Sequence, residues 1–394
     1  MVAREIGHGI FWVGAIDWDR RLFDELIPLP NGTSYNAYLI QGSQKTALID
    51  TVDPTKEYEL VSNLVRLGIE RVDYIIVNHA EQDHSGSLLM MLEFYPDAVI
   101  VTNEKCRDLL ICLLHLPPEK FRVIGDRETL PLGDRTLEFL ITPWTHWPET
   151  QLTFLREDGI LFPCDLFGAH IATSDLFMKD ERAIYLSAKR YYAEIMMPFR
   201  GSIRGYVEKV RGLSVKMIAP SHGPVYRNPA FILDAYTDWT SDAVKNEVVI
   251  PYSSMHGSTA KMVEYLTDAL LARGITVKPF NLSKTDVGEL AMSLVDAATV
   301  VIATPTVLFG PHPQVVYATY LANLLKPKAR FASVIGSYGW GGRSVETITK
   351  MIDHLKVELL EPVMVRGQPD EAAMRGLDRL ADDILKKHQE INII

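Results

Sequence analysis

The stretch "NHAEQDHSG", residues 78–86, places two histidines and two carboxylates within six positions, directly after the apolar run "YIIVN". Such a group would crowd like charges at the end of a buried strand unless a cation balanced them. Three later segments, "PWTHWPE", "FPCDLFGAH" and "APSHGPV", each add a histidine or an aspartate beside a strand-like run. A lone histidine is more commonly a packing or surface residue, and a lone aspartate after a strand is usually a turn former. Taken together, however, the set predicts a metal site with these candidate ligands: His79, Glu81, Asp83, His84, His146, Asp165 and His222.

The spacing H-x-E-x-D-H of residues 79–84, followed by a histidine, an aspartate and another histidine, resembles the metallo-β-lactamase fold. That superfamily usually shows H-x-H-x-D-H and binds zinc for hydrolysis. Glu81 stands here where the second histidine would be, and a carboxylate makes the site harder and more anionic. Sites that combine carboxylates with histidines suit iron or manganese at least as well as zinc. A dinuclear site of carboxylates and histidines, with a bridging aspartate, would therefore suit a redox-active pair of irons.

A second candidate site begins at "YSSMHGSTAKM", residues 252–262, which follows a strand-like run and opens a helix. Its hydroxyls, a glycine for a tight turn and the helix N-terminus would together favour a bound phosphate. The loop contains neither G-x-x-x-x-G-K-[ST] nor G-x-G-x-x-G, which argues against a nucleotide P-loop and a Rossmann dinucleotide site. Serine-rich turns and glycine-rich loops are common, so the loop alone is weak evidence for a ligand.

Two further loops, "TPTVLFGPHP" (304–313) and "GSYGWGGRS" (336–344), follow later strands. In a doubly wound sheet, loops at the carboxyl ends of strands flank the ligand crevice. Glycines there permit close backbone approach, and Tyr338 and Trp340 offer rings that can pack against a flat ring system. The three loops together predict flavin mononucleotide (FMN). The predicted contacts are Ser254, Met255, His256, Gly257, Ser258, Thr259, Pro305, Thr306, Val307, Ser337, Tyr338, Gly339, Trp340, Gly341 and Gly342.

The elements that must position these groups change character near residue 240. Before that point, short strand-like runs alternate with helical segments, and "TSYNAYLI" and "KTALIDT" flank the turn "QGSQ" as in a hairpin. From "VVIPYS" onward a strand and a helix alternate regularly, which is typical of a doubly wound parallel sheet. We predict an α/β chain with two domains. Residues 1–246 would form a metallo-β-lactamase-like αββα sandwich that carries the diiron site, and residues 247–394 a flavodoxin-like FMN-binding domain.

Composition restricts the partners and the compartment. The 394 residues suffice for two domains, and 47% hydrophobic with 23% charged residues is ordinary for a globular protein. The net charge of −10 argues against nucleic acid or an anionic membrane as the main partner. Cys106, Cys112 and Cys164 form no C-x-x-C pair, which predicts reduced thiols and no fused rubredoxin module. Neither a signal peptide nor a membrane-spanning run is evident, so we expect a cytoplasmic protein.

The two sites in this order resemble the flavodiiron proteins over nearly the whole chain. The segments that carry the resemblance are "GTSYNAYLI", "NHAEQDHSG", "WTHWPE", "CDLFGAHIA", "YYAEIMMPF", "PSHG", "YSSMHGST", "TPT" and "GSYGWGG". The resemblance implies an oxidoreductase of the minimal two-domain class that reduces dioxygen to water, nitric oxide to nitrous oxide, or both. Dioxygen reduction needs four electrons, and a diferrous pair and a reduced flavin hold two each. Coupling two nitric oxide molecules needs only two.

The same resemblance implies roles for individual residues. His79, Glu81 and His146 would bind one iron, Asp83, His84 and His222 would bind the other, and Asp165 would bridge them. In some members the histidine that matches His84 stays off the metal. Candidates for the substrate pocket or the layer around the metals are Trp147, His170, Tyr191 and Tyr192, and we select Trp147, His170 and Tyr192 as the catalytic candidates.

The resemblance also implies partners. Family members usually form head-to-tail homodimers, which can pair into a dimer of dimers. The expected electron donor is a separate rubredoxin, or a reduced deazaflavin in a methanogen. Because many rubredoxins are acidic and this chain is acidic too, docking would need a locally basic patch, with Lys261 or Arg343 as candidates.

Two rival interpretations are weighed against this one. A zinc-dependent hydrolase of the metallo-β-lactamase fold, with an accessory flavin domain, would leave Glu81 unexplained and has no use for a flavin. A non-enzymatic redox carrier with a purely structural metal site would not need so many ligands, because structural zinc takes about four.

Overall fold

The computed structural model describes residues 2–394 and separates them into two compact units. The first unit comprises the chain up to Tyr192 together with Phe199–Thr240, and the second comprises Ala193–Pro198 and Ser241–Ile394. The division after Thr240 lies six residues before the predicted domain boundary, and the strand that begins at Lys245 belongs wholly to the second unit.

The first unit contains sixteen strands and seven helices among its described residues. The strands are β1 Arg4–Gly7, β2 Ile10–Trp12, β3 Ala15–Asp17, β4 Leu22–Phe23, β5 Ile27–Pro28, β6 Thr33–Tyr35, β7 Tyr38–Gln41, β8 Thr46–Ile49, β9 Tyr74–Ile76, β10 Val99–Thr102, β11 Phe121–Val123, β12 Thr129–Pro131, β13 Thr136–Ile141, β14 Gln151–Leu155, β15 Ile160–Phe162 and β16 Met217–Ile218. The helices are α1 Glu57–Arg66, α2 Gln82–Ser85, α3 Leu88–Phe94, α4 Glu104–Leu114, α5 Glu181–Tyr191, α6 Arg200–Arg211 and α7 Pro229–Thr240.

Two mixed sheets form the centre of this unit. The first has the order β1-β2-β7-β8-β9-β10-β11, with antiparallel pairs up to β8 and parallel pairs from β8 to β11. The second has the order β12-β13-β14-β15-β16 and is antiparallel except for the parallel pair β15–β16. The predicted hairpin is confirmed, because β7 pairs with β8 around the "QGSQ" turn.

Alternation of side chains explains why apolar runs form these strands. Ile40, Ile49 and Ile76 point into a core that also contains Phe139 and Phe162 of the second sheet, so this core lies between the sheets. The intervening residues Leu39, Leu48 and Ile75 point to the opposite face, where they pack with side chains of α1, α3 and α4. The first sheet is therefore buried on both faces, which matches its nearly continuous apolar strands.

The second unit contains seven strands and five helices among its described residues. The strands are β17 Lys245–Tyr252, β18 Thr276–Asn281, β19 Ala297–Val307, β20 Gly310–Pro311, β21 Phe331–Tyr338, β22 Glu358–Leu359 and β23 Val363–Arg366. The helices are α8 Ser258–Leu271, α9 Val287–Leu294, α10 Pro313–Leu325, α11 Ser344–Met351 and α12 Glu371–Glu390.

The sheet of this unit is doubly wound. Its main order is β18-β17-β19-β21, with β22 and β23 both pairing with β21, and all of these pairs are parallel. Val248 and Val301 face α8 and α12, whereas Val249 and Val300 face α9, α10 and α11. The predicted strand–helix alternation and the predicted fold class, a metallo-β-lactamase-like αββα sandwich followed by a flavodoxin-like doubly wound parallel sheet, are confirmed.

His388 of α12 gives this unit a pH-dependent stability. The side chain is fully buried, its Nδ1 lies 2.8 Å from Asn246 Oδ1 and its Nε2 lies 2.8 Å from Thr299 Oγ1. The amide oxygen can only accept, so Nδ1 donates and Nε2 accepts from the hydroxyl. Burial lowers the pKa of His388 to about 4.

Because the unfolded chain takes up the proton near pH 6.5, the stabilising effect of the neutral ring is complete above that pH and is lost as the pH falls towards 4. Between pH 7 and pH 4.5 the wild-type protein should lose about 2 kcal/mol more unfolding free energy than His388→Gln, which lacks the ionisable ring. Urea unfolding at the two pH values measures this difference. Equal losses in the two proteins would show that His388 does not titrate in this range.

Among residues 2–394, no helix is both long enough and apolar enough to cross a membrane.

Candidate metal centre and cofactor pocket

The predicted metal ligands all lie at or just after the ends of strands. His79 follows β9 after two residues, and α2 immediately adds Asp83 and His84. His146 lies in the turn between β13 and β14, Asp165 follows β15 and His222 follows β16. The structure brings all seven predicted ligands together into adjoining groups.

One group consists of His79, Glu81 and His146. Glu81 Oε2 lies 3.1 Å from His79 Nε2 and 3.2 Å from His146 Nε2. The two imidazole Nε2 atoms lie only 3.1 Å apart. Ring nitrogens this close, with a carboxylate oxygen equally near to both, are directed at a common point, which is the arrangement of ligands around one cation.

The other group consists of Asp83, His84 and His222. Asp83 Oδ2 lies 3.3 Å from His84 Nε2 and 3.2 Å from His222 Nε2. The ring of His84 thus points into the cluster.

Asp165 lies between the groups and presents one oxygen to each. Its Oδ2 is 2.9 Å from His146 Nε2 and 3.5 Å from His79 Nε2. Its Oδ1 is 2.9 Å from His84 Nε2 and 3.4 Å from His222 Nε2. A carboxylate in this position can bridge two cations.

Burial and unsatisfied polar atoms test whether cations fit here. Asp83 and His84 are both buried. Asp83 Oδ2 and His84 Nε2 lie 2.9–3.3 Å from other predicted ligands, but neither atom makes a contact with hydrogen-bond geometry within residues 2–394. Leaving such atoms buried without hydrogen bonds costs considerable free energy. Metal ions bound to the carboxylate of Asp83 and to His84 Nε2 would satisfy these atoms, so the donor set fits a dinuclear metal centre.

The pKa values of the ligand histidines also indicate that the site favours positive charge. Burial alone would lower the pKa of His146, but hydrogen bonds to Asp165 and Glu81 raise it to about 9. Burial would likewise lower the pKa of His222, but contacts with Asp165 and Asp83 raise it to about 10. The surrounding carboxylates therefore favour cationic charge among the ring nitrogens, and metal ions can supply that charge once the imidazoles are neutral.

Several backbones in the site adopt an uncommon conformation. Asp50, Trp144, His146 and Cys164 have φ between 51° and 67°. Left-handed φ is rare for residues other than glycine and is concentrated at functional sites. At these positions it turns the chain sharply at the ends of β8, β13 and β15.

The four residues predicted to lie around the metals differ in how close they come to the ligands. The Trp147 ring packs edge-on against His79 with centroids 5.0 Å apart, and the His170 ring lies 4.5 Å from that of His222. The ring of Tyr191 packs against those of His170 and His222, with centroids 4.8 and 5.7 Å apart, whereas the hydroxyl of Tyr192 donates to the carbonyl of Trp239 at 3.1 Å. Trp147, His170 and Tyr191 thus touch or adjoin the ligands, and Tyr192 joins an aromatic cluster. The catalytic roles of these residues stay predictions.

Two buried carboxylates near the ligands were not predicted. Asp50 accepts hydrogen bonds from the backbone and side-chain amides of Asn78, at 2.8 and 2.9 Å, and so fixes the start of the ligand loop. Glu149 Oε1 lies 2.6 Å from His79 Nδ1. A signal for Asp50 was present, because it follows the strand "TALI" just as His79 follows "YIIVN".

The three predicted flavin loops meet in one pocket of the second unit. It is lined by Ser254, Met255, His256, Ser258, Thr259, Pro305, Thr306, Ser337, Tyr338, Gly339 and Gly367. Gly367 lines the pocket but was not predicted. The other predicted residues lie on the same three loops: Gly257, Val307, Trp340, Gly341 and Gly342. The pocket opens at the N-terminus of the fourteen-residue helix α8. The hydroxyls of Thr259 and Ser337 lie 3.2 Å apart and so link the loop of residues 252–262 to that of residues 336–344.

The chemistry of this pocket fits FMN. Hydroxyl groups and a helix N-terminus suit a phosphate. At Gly257 and Gly339 a Cβ would meet no other atom within 4 Å, so space is open beside the backbone. Trp340 is 69% exposed and packs edge-on against Phe309, with centroids 4.4 Å apart, which leaves its ring available to a flat ligand.

Comparisons with known proteins identify the families that the two units match. Residues 33–223 match the family described as ODP family beta lactamase, and residues 250–377 match the flavodoxin family. The nitric oxide reductase of Moorella thermoacetica is 37% identical over 365 residues, which cover 90% of each chain. The coenzyme F420H2 oxidase of Methanothermobacter marburgensis is 34% identical over 364 residues and covers 89% of this chain and 90% of its own. The solved structure of rubredoxin oxygen:oxidoreductase from Desulfovibrio gigas is 29% identical, with a TM-score of 0.95 over 98% of this chain and 99% of that one.

Proposed function

Because this chain belongs to the flavodiiron protein family, we propose that it reduces dioxygen to water, nitric oxide to nitrous oxide, or both. It is an oxidoreductase with FMN in the flavodoxin-like unit and a non-haem diiron site in the metallo-β-lactamase-like unit. The Moorella relative is named for nitric oxide, the Methanothermobacter relative for F420H2 oxidation and the structural neighbour for oxygen. Nitric oxide and oxygen are both diatomic gases, so we assign a diatomic gas as the substrate class.

The position of Asp165 is the observation that carries this proposal. Its two oxygens each lie 2.9 Å from a histidine of a different group, which gives two cation positions that share one carboxylate. We assign His79, Glu81 and His146 to one iron, and Asp83, His84 and His222 to the other. The inward orientation of His84 supports its inclusion as a ligand.

Glu81 supports iron over zinc. Each metal position then has a carboxylate and two histidines in addition to the shared Asp165, and such sets suit redox-active iron. The zinc-hydrolase alternative finds no support among the named relatives, which are oxidoreductases.

The cofactors supply the electrons and the gas chemistry when bound, and the side chains hold and shield them. Trp147 covers one side of His79, and His170 packs between Tyr191 and His222 with its Nδ1 2.9 Å from Thr33 Oγ1. Burial and the nearby His222 lower the pKa of His170, so this ring is neutral at physiological pH. Burial and the nearby carboxylate of Asp165 raise the pKa of the Tyr191 hydroxyl, so this hydroxyl keeps its proton.

The proposed electron donor is argued from charged residues beside the flavin loops. Lys261, Arg343 and Arg366 are exposed residues on or beside the flavin loops, and Arg366 Nε donates to the carbonyl of Gly339 at 3.1 Å. Although the chain as a whole is acidic, these cationic side chains would attract an acidic electron donor to the flavin loops. We propose rubredoxin as the donor, with reduced deazaflavin as the alternative, and a head-to-tail homodimer, or a dimer of such dimers, in the cytoplasm.

Metal analysis of protein purified from its native host tests the function. We expect about two iron ions and one FMN per chain, and consumption of dioxygen or nitric oxide when a reduced donor is supplied. The two gases and the two donors are compared in the same assay, which separates substrate from donor preference. Protein that contains two zinc ions, is inactive with both gases and hydrolyses thioesters or lactones would refute the proposal.

A further inference from the structure

The buried carboxylate of Glu149 lies directly behind the ligand His79. Both side chains are fully buried, and Glu149 Oε1 is 2.6 Å from His79 Nδ1. The other ring nitrogen, Nε2, faces Glu81 and His146. Nδ1 must therefore carry the proton and donate it in a hydrogen bond to Glu149, which leaves Nε2 free to bind a metal.

His222 provides a comparison within the same site. Its Nδ1 donates to the backbone carbonyl of Ser34 at 2.7 Å, so its acceptor is neutral. The acceptor behind His79 is a carboxylate, and hydrogen bonds to ionised acceptors are shorter and about twice as strong. The two histidines, one on each side of Asp165, are thus supported by different amounts of negative charge.

Glu149 is itself held in place by several contacts. The amide of Ala80 donates to Glu149 Oε1 at 3.1 Å, and Asn103 Nδ2 donates to the carbonyl of Glu149 at 2.6 Å. The contact with Ala80 ties the turn that carries His146 to the loop that carries His79, and the contact with Asn103 ties the same turn to the start of α4. A purely structural role in joining the two loops would account for them, but it would not require a charged side chain, because a buried carboxylate is costly.

We infer that Glu149 is a positioning residue that orients His79 towards the metal and, through its negative charge, makes this imidazole a stronger ligand than His222. A negative charge close to one ligand stabilises the more oxidised state of the metal, so Glu149 also lowers the reduction potential of the metal pair. The effect on the potential rests on the proposed diiron function, whereas the effect on metal affinity does not.

Two substitutions separate charge from orientation. Glu149→Gln keeps an oxygen that can accept the proton of His79 but removes the charge, and Glu149→Leu removes both. With Glu149→Gln we expect both irons to stay bound and the midpoint potential of the pair, measured by an EPR-monitored redox titration, to shift upward. With Glu149→Leu we expect metal affinity to fall by about ten- to a hundredfold.

The controls keep the inference falsifiable. Asp158→Asn removes a carboxylate of the same unit that pairs with Arg135 and not with a predicted ligand, so the potential should remain that of the wild type. Circular dichroism and urea unfolding report folding of each variant. If Glu149→Leu does not fold, Glu149→Gln decides alone: an unchanged potential would overturn the inference and leave Glu149 a structural residue.

A zinc titration distinguishes failure of this inference from failure of the proposed function. His79 would bind zinc through the same Nε2, so removing the support should weaken zinc binding by the same factor even if the native metal were not iron. Glu149→Leu with zinc affinity equal to that of the wild type would refute the orienting role whatever the enzyme's reaction.

Discussion

Asp165→Asn should deprive the first unit of both metal ions and reduce turnover by more than a hundredfold. Every other proposed ligand belongs to one of the groups, but the oxygens of Asp165 each lie 2.9 Å from a histidine of a different group. An asparagine keeps the shape and replaces one oxygen by an NH2 group, which cannot bind a metal. Its neutral charge also removes part of the attraction that holds cations among these four histidines. The loss should therefore exceed the ten- to hundredfold that follows removal of a residue behind a ligand.

Iron and zinc contents of the purified variant, together with gas consumption, measure this effect. Asp158→Asn is the matched control, because Asp158 lies in the turn between β14 and β15 and pairs with Arg135 at a partly exposed position. The carboxylate of Asp158 pairs with Arg135 and with none of the proposed ligands, so the control should keep its metals. FMN content should be normal in both variants. Two irons and full activity in Asp165→Asn would exclude the bridging role.

The secondary structure of the chain was predictable because local patterns and tertiary packing agree. The runs "YIIVN" and "TVVIATPT" are apolar at successive positions, and both form strands that are covered on two faces. Helix α8 ends near the predicted Gly274, whose φ of 74° is the left-handed conformation that glycine adopts easily. The ligands were predictable for a related reason. Asp165 and His222 follow the parallel neighbours β15 and β16 of the second sheet, and His79 follows β9 of the first sheet. Loops at the strand ends of the two packed sheets thus bring these ligands together although they are far apart in sequence.

The layer behind the ligands was not predictable, because it depends on contacts between loops. Glu149 lies seventy positions from His79, and nothing in "THWPET" indicates which ring its carboxylate meets. The choice between Tyr191 and Tyr192 depends on helix phase. Helix α5 ends at Tyr191 and a π-helical turn begins at Tyr192, so the ring of Tyr191 packs against His170 and His222 whereas the hydroxyl of Tyr192 donates to Trp239.

The glycines in residues 336–344 were predicted to let a ligand approach the backbone. In the structure some of them instead let two segments of the chain approach each other. A Cβ at Gly339 would meet open space, as expected beside a ligand. At Gly342 it would lie 2.5 Å from Thr306 Cγ2, so this glycine lets two loops approach each other. At Gly336 it would lie only 1.9 Å from the carbonyl oxygen of Thr304 on the adjacent strand. The sequence shows a glycine at each position, but only the structure separates contact with a ligand from contact between backbones.

Gly336→Ala should therefore abolish FMN binding and destabilise the second unit by about 3 kcal/mol or more. Gly336 pairs with Thr304 between the central strands β21 and β19, and the clash involves backbone atoms that cannot rotate away. Relief requires the strands to separate at the point where both enter the flavin loops. Thr306 on one loop and Ser337 on the other would then no longer line the same pocket.

Flavin absorbance per chain and calorimetry of the purified variant measure the two effects. Gly310→Ala is the matched control in the same unit, since its nearest neighbour would be Val307 O at 3.9 Å, an ordinary contact. The control should bind FMN and unfold like the wild type. Iron should remain bound in both variants, because all the proposed ligands lie in the first unit. Normal FMN content in Gly336→Ala would mean that the strands can separate without opening the pocket. Loss of iron together with FMN would show instead that the metal centre depends on an intact flavin unit.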